Sequence, residues 1–101
     1  MKVYICGNIK DAPAFEMAEL LLRQQGHIPI SPRKVLFTLP EEITNSDFTV
    51  IAFELIRVCE AVYLLNDWET DFGARVELAH AKRLGKEILN EAGKYDLFLS
   101  D

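Results

Sequence analysis

The 101-residue chain is short of positive charge, of cysteine and of long apolar runs. Its 11 Lys and Arg residues stand against 16 Asp and Glu, a formal net charge of −5 with no basic stripe. Because nucleic-acid binding needs cations that neutralise phosphates, we expect no nucleic-acid polymer as partner. No segment reaches the roughly 18 apolar residues that span a bilayer, and the first residues lack a signal-peptide pattern. We therefore expect a cytoplasmic protein with no membrane partner.

The few cysteines and acidic clusters match no known metal or cofactor pattern. Cys6 and Cys59 have no CxxC or zinc spacing, which predicts reduced core thiols. Asp67, Glu69 and Asp71 lack the glycine and terminal glutamate of an EF-hand loop and are expected to form a solvated acidic loop. Dinucleotide, P-loop and Ser-His-Asp patterns are missing. We therefore expect neither a metal nor another cofactor.

Half of the residues in the sequence are hydrophobic, which is enough for the core of one domain over residues 1–101. Apolar runs predict strands at residues 2–6, 27–31, 61–65 and 86–89, and helical spacing between them predicts helices. Asp11 and Gly26 bound the first helix, and Pro29 cannot donate to a ladder, which places the second strand at an edge. Residues 33–45 have a mixed pattern that supports no assignment; a lid or an entry wall is one interpretation.

Alternation of strands and helices predicts an α/β fold of the flavodoxin or Rossmann-like kind. We expect a three-layer sandwich around a parallel sheet of four or five strands, in the order 2-1-3-4. That order puts the ends of the first and third strands side by side at the topological switch point, where such folds bind ligands. Gly7, Asn8 and Ile9 would then face residues 66–73 across a crevice.

A second long helix, capped by Ser46 or Asp47 and running to about Cys59, is apolar around much of its circumference. The face expected to be buried is centred on three residues, Ile51, Leu55 and Val58, and is widened by Phe48, Ala52 and Phe53. Such a surface predicts burial beyond the sheet contact, against a second copy of the chain. The apolar run YDLFL within residues 92–101 is likewise expected to pack on the body or on a neighbour.

Glu77 is the leading candidate for a functional side chain, because it lies in the first turn of the helix after the third strand. On a helical wheel, Ala74, Leu78 and Ala81 form the core-facing side, and Glu77 lies about 60 degrees from their centre. A carboxylate on that flank is partly desolvated yet near amide N–H groups, which suits a nucleophile or an anchor for sugar hydroxyls. The alternative is that acidic residues simply favour first turns.

Three segments together resemble the nucleoside 2-deoxyribosyltransferase-like superfamily, and most of all a small phage and bacterial branch of it. They are YICGNI, GHIPISP and VYLLNDWETDFGARVELAHAKRLGKEI, within residues 1–91. The superfamily includes transferases that exchange bases on deoxyribose and hydrolases that cut the N-glycosidic bond of deoxynucleoside monophosphates. The resemblance implies a nucleoside or nucleotide as the small-molecule partner, and Glu77 as the nucleophile that attacks C1′ of the sugar.

The resemblance also implies roles for residues around the glutamate. Tyr4 would position Glu77 or the sugar through its hydroxyl, unless it is an ordinary strand aromatic. Gly7 and Asn8 would let the backbone approach the ligand, and Gly73 would open the helix end toward it, unless Gly73 is a plain turn residue. Trp68 would stack on a base or cover the crevice, or else pack under its own loop.

Two positions depart from the family pattern. Ala52 stands where family enzymes carry an aspartate for the leaving base, and Asp67 is the expected substitute. Asp71 stands where the hydrolases hold a 5′-phosphate with serine, and Lys10, which resembles a phosphate-contacting arginine, supplies a single opposing charge. A neutral nucleoside is therefore expected to fit better than a nucleotide. A non-catalytic nucleoside or nucleotide-binding protein that kept the fold, and a purely structural oligomer subunit, are the alternatives.

Overall fold

The computed structural model describes residues 1–90, which form an alternating series of strands and helices. The strands are β1 (Lys2–Cys6), β2 (Ile28–Ile30), β3 (Ala61–Leu64) and β4 (Glu87–Leu89). The helices are α1 (Ala12–Gln24), α2 (Pro32–Leu36), α3 (Asn45–Val58) and α4 (Phe72–Arg83), and a 3₁₀ turn covers Trp68–Thr70. The expected packing of the apolar run in residues 92–101 lies outside the described residues.

All four strands are parallel, and their order is β2-β1-β3-β4, which confirms the predicted sheet. The edge position predicted for β2 from its proline is also confirmed. β1 and β3 are in register, with Tyr4 opposite Val62 and Cys6 opposite Leu64. Both strands therefore end at the same edge of the sheet, where the Leu65 N–H donates to the Cys6 carbonyl at 2.9 Å.

The sheet separates two hydrophobic clusters, because successive side chains of a strand point to opposite faces. Val3 and Ile5 of β1 lie in one cluster, which α1 covers with Phe15 and Leu22. The other cluster lies beneath α3 and α4; its members include Tyr4, Cys6, Ala52, Ile56, Val62, Leu64, Ala74, Leu78 and Ala81. These helix layers on the two faces complete the predicted three-layer sandwich.

The first helix follows the sequence signals. The Asp11 carboxylate accepts a hydrogen bond from the Ala14 N–H at 3.2 Å, and a proline occupies the first turn. Gly26 follows the end of α1 with a φ of 85°, a conformation that favours glycine. Its predicted bounds are therefore confirmed. Within residues 1–90, every helix is too short or too polar to cross a lipid bilayer.

The start of α3 differs from the prediction of a cap at Ser46 or Asp47. Thr44 is the cap: its hydroxyl accepts from the Asp47 N–H at 3.1 Å, and the Asp47 carboxylate accepts from the Thr44 N–H at 3.2 Å. This reciprocal pair satisfies two otherwise unpaired amides and starts the helix at Asn45.

The buried face of α3 is also rotated from the predicted one. Ala52 and Ile56 are fully buried, whereas Val58 is 43% exposed. The helix is apolar around much of its circumference, so periodicity alone does not select the face. Contact with α4 and the sheet selects it instead, and the small Ala52 lies within the cluster beneath both helices.

A short helix, α2, occupies the start of the segment that supported no assignment. Ser31 caps it, with its hydroxyl accepting from the Lys34 N–H at 3.5 Å, and Pro32 takes the first helical position. Lys34 forms an ion pair with the buried Glu19 of α1, which ties the two helices together. Pro32 was interpreted only as the end of a strand, but it is the start of a helix that helps to build the site.

Candidate active site

A cavity of about 530 Å³ opens beyond the carboxyl end of β1, beside the first residues of three helices. Its wall is formed by Gly7, Ile9, Pro32, Asn45, Ser46, Phe48, Thr49, Asp71, Phe72, Gly73 and Glu77. The volume is in the range of sites that hold drug-sized small molecules. The crevice predicted from strand order is therefore present, and α2 and α3 enlarge it.

Glu77 reaches this cavity from the flank of α4. Ala74, Leu78 and Ala81 on the neighbouring face of the helix are buried against the sheet, as the helical wheel predicted. Asp71 caps α4, and its carboxylate accepts from the Ala74 N–H at 2.9 Å. The cap fixes the first turn and leaves Glu77 half-buried in the cavity wall.

Burial raises the pKa of Glu77 from its ordinary value of 4.5 to about 7. The Tyr4 hydroxyl and the Cys6 thiol act in the opposite direction and lower this pKa, because donors stabilise the charged carboxylate, while the Asp71 carboxylate raises it. The carboxyl group is therefore a mixture of protonated and ionised forms near neutral pH. A carboxyl group with a pKa near neutral pH can act as a nucleophile or exchange a proton.

Tyr4 lies beneath Glu77 and carries a buried hydroxyl with no hydrogen-bond partner of good geometry among residues 1–90. Burial, followed by the nearby Glu77 carboxylate, raises the pKa of this phenol well above its ordinary value. The hydroxyl is therefore a neutral donor that approaches the carboxylate without forming a regular hydrogen bond. A buried polar atom left unpaired costs folding free energy, so packing alone does not explain a hydroxyl at this position.

Cys6 is the other polar side chain that β1 turns toward α4. Its thiol donates to the Ala74 carbonyl at 3.3 Å, and burial, with Glu77 second, raises the pKa of this thiol well above its ordinary value. Cys59, at the end of α3, is also a buried free thiol, and burial raises its pKa to about 11. Both sulfur atoms are therefore protonated at neutral pH.

Gly7 lies in the cavity wall, but contact with the protein itself explains why it is glycine. A Cβ at this position would lie 2.6 Å from Cδ1 of Leu65. The ends of β1 and β3 can approach closely only without a side chain there. At Gly73 an added Cβ would meet only an Asp71 oxygen, at 3.4 Å, so the fold leaves room at that part of the wall.

Besides Tyr4, four of the candidate residues lie outside the cavity wall. Asp67 accepts a hydrogen bond from the Asn8 N–H at 3.3 Å and so joins the loops after β1 and β3. The Asn8 side-chain oxygen accepts from the Lys10 N–H at 3.0 Å, and the Lys10 side chain is exposed. Trp68 is partly buried against the core cluster beneath α3 and α4, so packing under its loop is the alternative that the structure favours.

Sequence reasoning missed the contribution of α3 to the site. Asn45, Ser46 and Thr49 bring polar groups to the wall, and Phe48 brings an aromatic ring. The capping box at residues 44–47 was a readable signal, because it places the helix start, and with it these side chains, at the carboxyl edge of the sheet. Ala52, one turn further along, is fully buried and brings no polar group to the cavity.

This architecture has counterparts among known proteins. The chain belongs to the family described as Domain of unknown function (DUF4406), whose model matches residues 1–90. No curated protein sequence matches the chain.

Among solved structures, a 2-deoxyribosyltransferase from Bacillus psychrosaccharolyticus is similar over 100% of this chain and 81% of that chain, with a TM-score of 0.75 and 21% identity. A 2-deoxyribosyltransferase from Leishmania mexicana gives a TM-score of 0.65 and 22% identity, over 88% of this chain and 62% of that chain. A CMP N-glycosidase from Clostridium botulinum gives a TM-score of 0.67 and 15% identity, over 89% of this chain and 70% of that chain. The chain thus has the α/β fold of the 2-deoxyribosyltransferases, and the resemblance identified from the sequence is confirmed at the level of the fold.

Proposed function

We propose that the protein binds a neutral nucleoside in the cavity and breaks its N-glycosidic bond through nucleophilic attack by Glu77. The observation that carries the proposal is the Glu77 carboxyl group, half-buried in the cavity wall with a pKa of about 7. No cation pairs with it among residues 1–90, so its negative charge is available to a developing positive centre.

In the proposed reaction, a Glu77 carboxylate oxygen forms a bond to C1′ while the C1′–N bond breaks. The bond's electron pair leaves with the base, which takes a proton from water. A second base or a water molecule then attacks C1′, and the C1′–O bond to Glu77 breaks with its electron pair left on the carboxylate. The proton of the attacking N–H or O–H passes to the hydroxide formed when the first base was protonated, giving transfer or hydrolysis respectively. The oxocarbenium-like character of C1′ in both steps suits stabilisation by a nearby carboxylate.

The rest of the wall supports binding of a flat base and a sugar. Phe48 and Phe72 offer aromatic surfaces to a base, and Phe72 is 73% exposed, with Arg75 over its ring at 5.8 Å. Asn45, Ser46 and Thr49 offer hydrogen-bonding groups to hydroxyls and ring atoms. The Tyr4 hydroxyl would hold the Glu77 carboxylate as its charge changes during the reaction.

A neutral substrate is supported by the charge of the site. Asp71 and Glu77 both lie in the wall, and Asp67 lies close by. The side chain of Asp71 already occupies the end of α4, where a phosphate would otherwise accept from amide N–H groups. The exposed Lys10 is the one cation proposed for a phosphate. We therefore place a nucleoside ahead of a nucleotide.

One observation supports a second candidate, a protein that binds nucleosides without turnover. Ala52 is fully buried, and the carboxylate of Asp67 accepts from the Asn8 backbone, so neither position supplies a free acid to the leaving base. A reaction without such an acid is restricted to bases that leave readily. Binding alone would then be the function of the same cavity.

Base release from 2′-deoxynucleosides, followed by liquid chromatography with and without a second free base, tests the proposal. We expect release or exchange by the wild type and a loss on the order of 10³-fold in Glu77→Gln. Glu69→Gln is the matched control, since Glu69 is exposed and lies outside the cavity wall. Equal release by Glu77→Gln would contradict the role of Glu77, and binding by calorimetry without any release would support the second candidate.

We also propose that the chain self-associates. Large apolar side chains are exposed on two helices: Met17 (69%) and Leu20 (54%) on α1, and Val50 (64%) on α3. Exposed apolar surface of this kind is typical of interfaces. Sedimentation velocity over a range of concentrations is expected to give a dimer or larger species; a monomer throughout would contradict the proposal.

A further inference from the structure

The thiol of Cys6 links the end of β1 to the first turn of α4. Cys6 is the last residue of the strand and is fully buried, and its Sγ lies 3.3 Å from the Ala74 carbonyl oxygen. That carbonyl belongs to the turn immediately before Glu77. The contact therefore connects the strand that carries Tyr4 to the helix that carries the proposed nucleophile.

The geometry of strand and helix places Glu77 between the two polar side chains of β1. Because β3, α4 and β4 form a parallel crossover, α4 runs back along the sheet from the carboxyl edge. Ala74 lies level with Cys6, and Glu77 is one turn further along. Tyr4 precedes Cys6 by two residues, so it points to the same face about 6.6 Å along the strand. The Glu77 side chain thus lies alongside the gap between thiol and hydroxyl.

We propose that Cys6 is a positioning residue for Glu77, with a thiol that fixes the first turn of α4 against β1 and so holds the carboxylate beside the Tyr4 hydroxyl. The inference rests on the proposed function for its catalytic meaning, but the placement of the carboxyl group can be tested without a substrate. Cys6 is not proposed to touch the substrate, since it does not lie in the cavity wall.

The electrostatic surroundings of Glu77 agree with this placement. Cys6 is one of the two groups that lower its pKa, and the thiol stays protonated across the neutral range because burial raises its own pKa. Asp71, at the start of α4, is the charged group that raises the pKa of Glu77.

The other elements around Glu77 bring few groups that titrate. α3 presents neutral polar side chains to the cavity: Asn45, Ser46 and Thr49. His80, the next titratable residue along α4, is stacked on Phe53 with the ring centroids 3.9 Å apart. A change in the titration of Glu77 on removal of the Cys6 thiol can therefore be assigned to the thiol.

The test measures the Glu77 carboxyl group directly by NMR titration of protein labelled with ¹³C at glutamate side chains, with the Glu77 signal assigned from Glu77→Gln. We expect Cys6→Ala to raise the pKa of Glu77 by about half a pH unit, because the first turn of α4 loses its contact with β1 and the nearby thiol that lowers this pKa is removed. Cys6→Val, which lacks the donor but fills the space, is expected to raise it equally, and Cys6→Ser is expected to restore it. Cys59→Ala is the matched control, since it removes a buried thiol at the far end of α3.

An unchanged or lower pKa in both Cys6→Ala and Cys6→Val would overturn the inference, as would an equal rise in Cys59→Ala. Turnover gives a separate readout. The kcat/KM of Cys6→Ala for a deoxynucleoside is expected to fall about threefold at pH 6 and to recover at pH 8.5, where the carboxyl group is ionised in either protein. If no variant turns over any nucleoside, the proposed function fails, and the NMR titration still decides whether Cys6 positions Glu77.

Discussion

The two faces of the sheet differ in what they bury. Toward α1, β1 presents Val3 and Ile5, and the side chains of the cluster there are hydrocarbon except for Tyr63 of β3. Toward α4, the same strand presents the hydroxyl of Tyr4 and the thiol of Cys6, next to the carboxyl group of Glu77. The face toward α1 therefore stabilises the fold by burying apolar surface. The face toward α4 stabilises it less, because burying polar groups beside the cavity costs free energy.

The surroundings of two glutamates, Glu19 on α1 and Glu77 on α4, also differ between the two sides of the sheet. Glu19 on α1 is buried, and two cations surround it: Lys34, and Arg23 at 3.8 Å. Glu77 is half-buried with no cation beside it among the described residues, and burial raises its pKa to about 7. Where a carboxylate only joins two helices, the fold neutralises it. At the cavity, the fold leaves the carboxyl group of Glu77 without a cation among the described residues, as the proposed role of a nucleophile requires.

The largest expected effect is on the apolar face. Phe15 is 1% exposed in the cluster beneath α1, and Phe15→Ala is expected to reduce the free energy of unfolding by about 3–5 kcal/mol because it leaves a cavity. Urea denaturation followed by circular dichroism measures the loss. The pKa of Glu77 is expected to stay at its wild-type value, and a change in it would show that the two faces are coupled.

The second expected effect is the change in stability when each of the two glutamates is replaced by glutamine, and its sign is opposite for Glu77 and Glu19. Between pH 4.5 and 7 the folded protein keeps a proton on Glu77 that the unfolded chain has released. The free energy of unfolding therefore falls as the pH rises through that range, and it stays at the lower value above pH 7. Glu77→Gln is therefore expected to stabilise the fold at pH 8 by up to about 3 kcal/mol, with no gain at pH 4. Glu19→Gln is expected to destabilise it by about 1 kcal/mol, because two cations lose their partner. Thermal melts at both pH values measure these changes, and a loss of stability in Glu77→Gln at pH 8 would contradict the comparison.

A third substitution separates stability from reactivity within the site. Tyr4→Phe removes a buried hydroxyl that has no regular hydrogen bond, so the free energy of unfolding is expected to change by no more than about 1 kcal/mol. The pKa of Glu77 is expected to rise, because a donor near it is lost. The kcat/KM for a nucleoside at pH 7 is expected to fall about tenfold. A large loss of stability with no change in pKa would make Tyr4 an ordinary core residue.

The smallest expected effect concerns the charge at the start of α4. Asp71→Asn keeps a side-chain oxygen that can cap the helix, and removes a carboxylate that raises the pKa of Glu77. The pKa of Glu77, and with it the acidic limb of the pH profile, is expected to move to lower pH by a fraction of a unit. The same NMR titration measures it, and a move to higher pH would exclude the charge of Asp71 as its cause.

The fold was largely predictable because its signals are local. Pro29 placed β2 at an edge, and the continuous apolar run of β3 placed that strand in the centre. The helix α2 was missed because Ser31 and Pro32 also match the end of a strand, although serine followed by proline is a good helix start. The burial of Ile56 and the exposure of Val58 on α3 depend on contact with α4 and the sheet, which no local pattern encodes.

The site was predictable only in part, because several of its contacts join residues that are far apart in the sequence. Glu77 and Gly73 reach the cavity because strand order and helical spacing place them there. The Asn45 and Thr49 contributions depend on how closely the start of α3 approaches α4. The paired role of Asp67 and the Asn8 backbone likewise appears only when two loops meet in space.

The most direct test of the central claim is to trap the sugar on the protein. A 2′-deoxy-2′-fluoroarabino nucleoside slows release of a glycosyl-enzyme, because fluorine destabilises the oxocarbenium-like transition state. Intact mass spectrometry followed by peptide mapping is expected to find one sugar attached to Glu77 and none in Glu77→Gln. A sugar attached to another residue, or base release by the wild type with no covalent species at any time, would contradict the account.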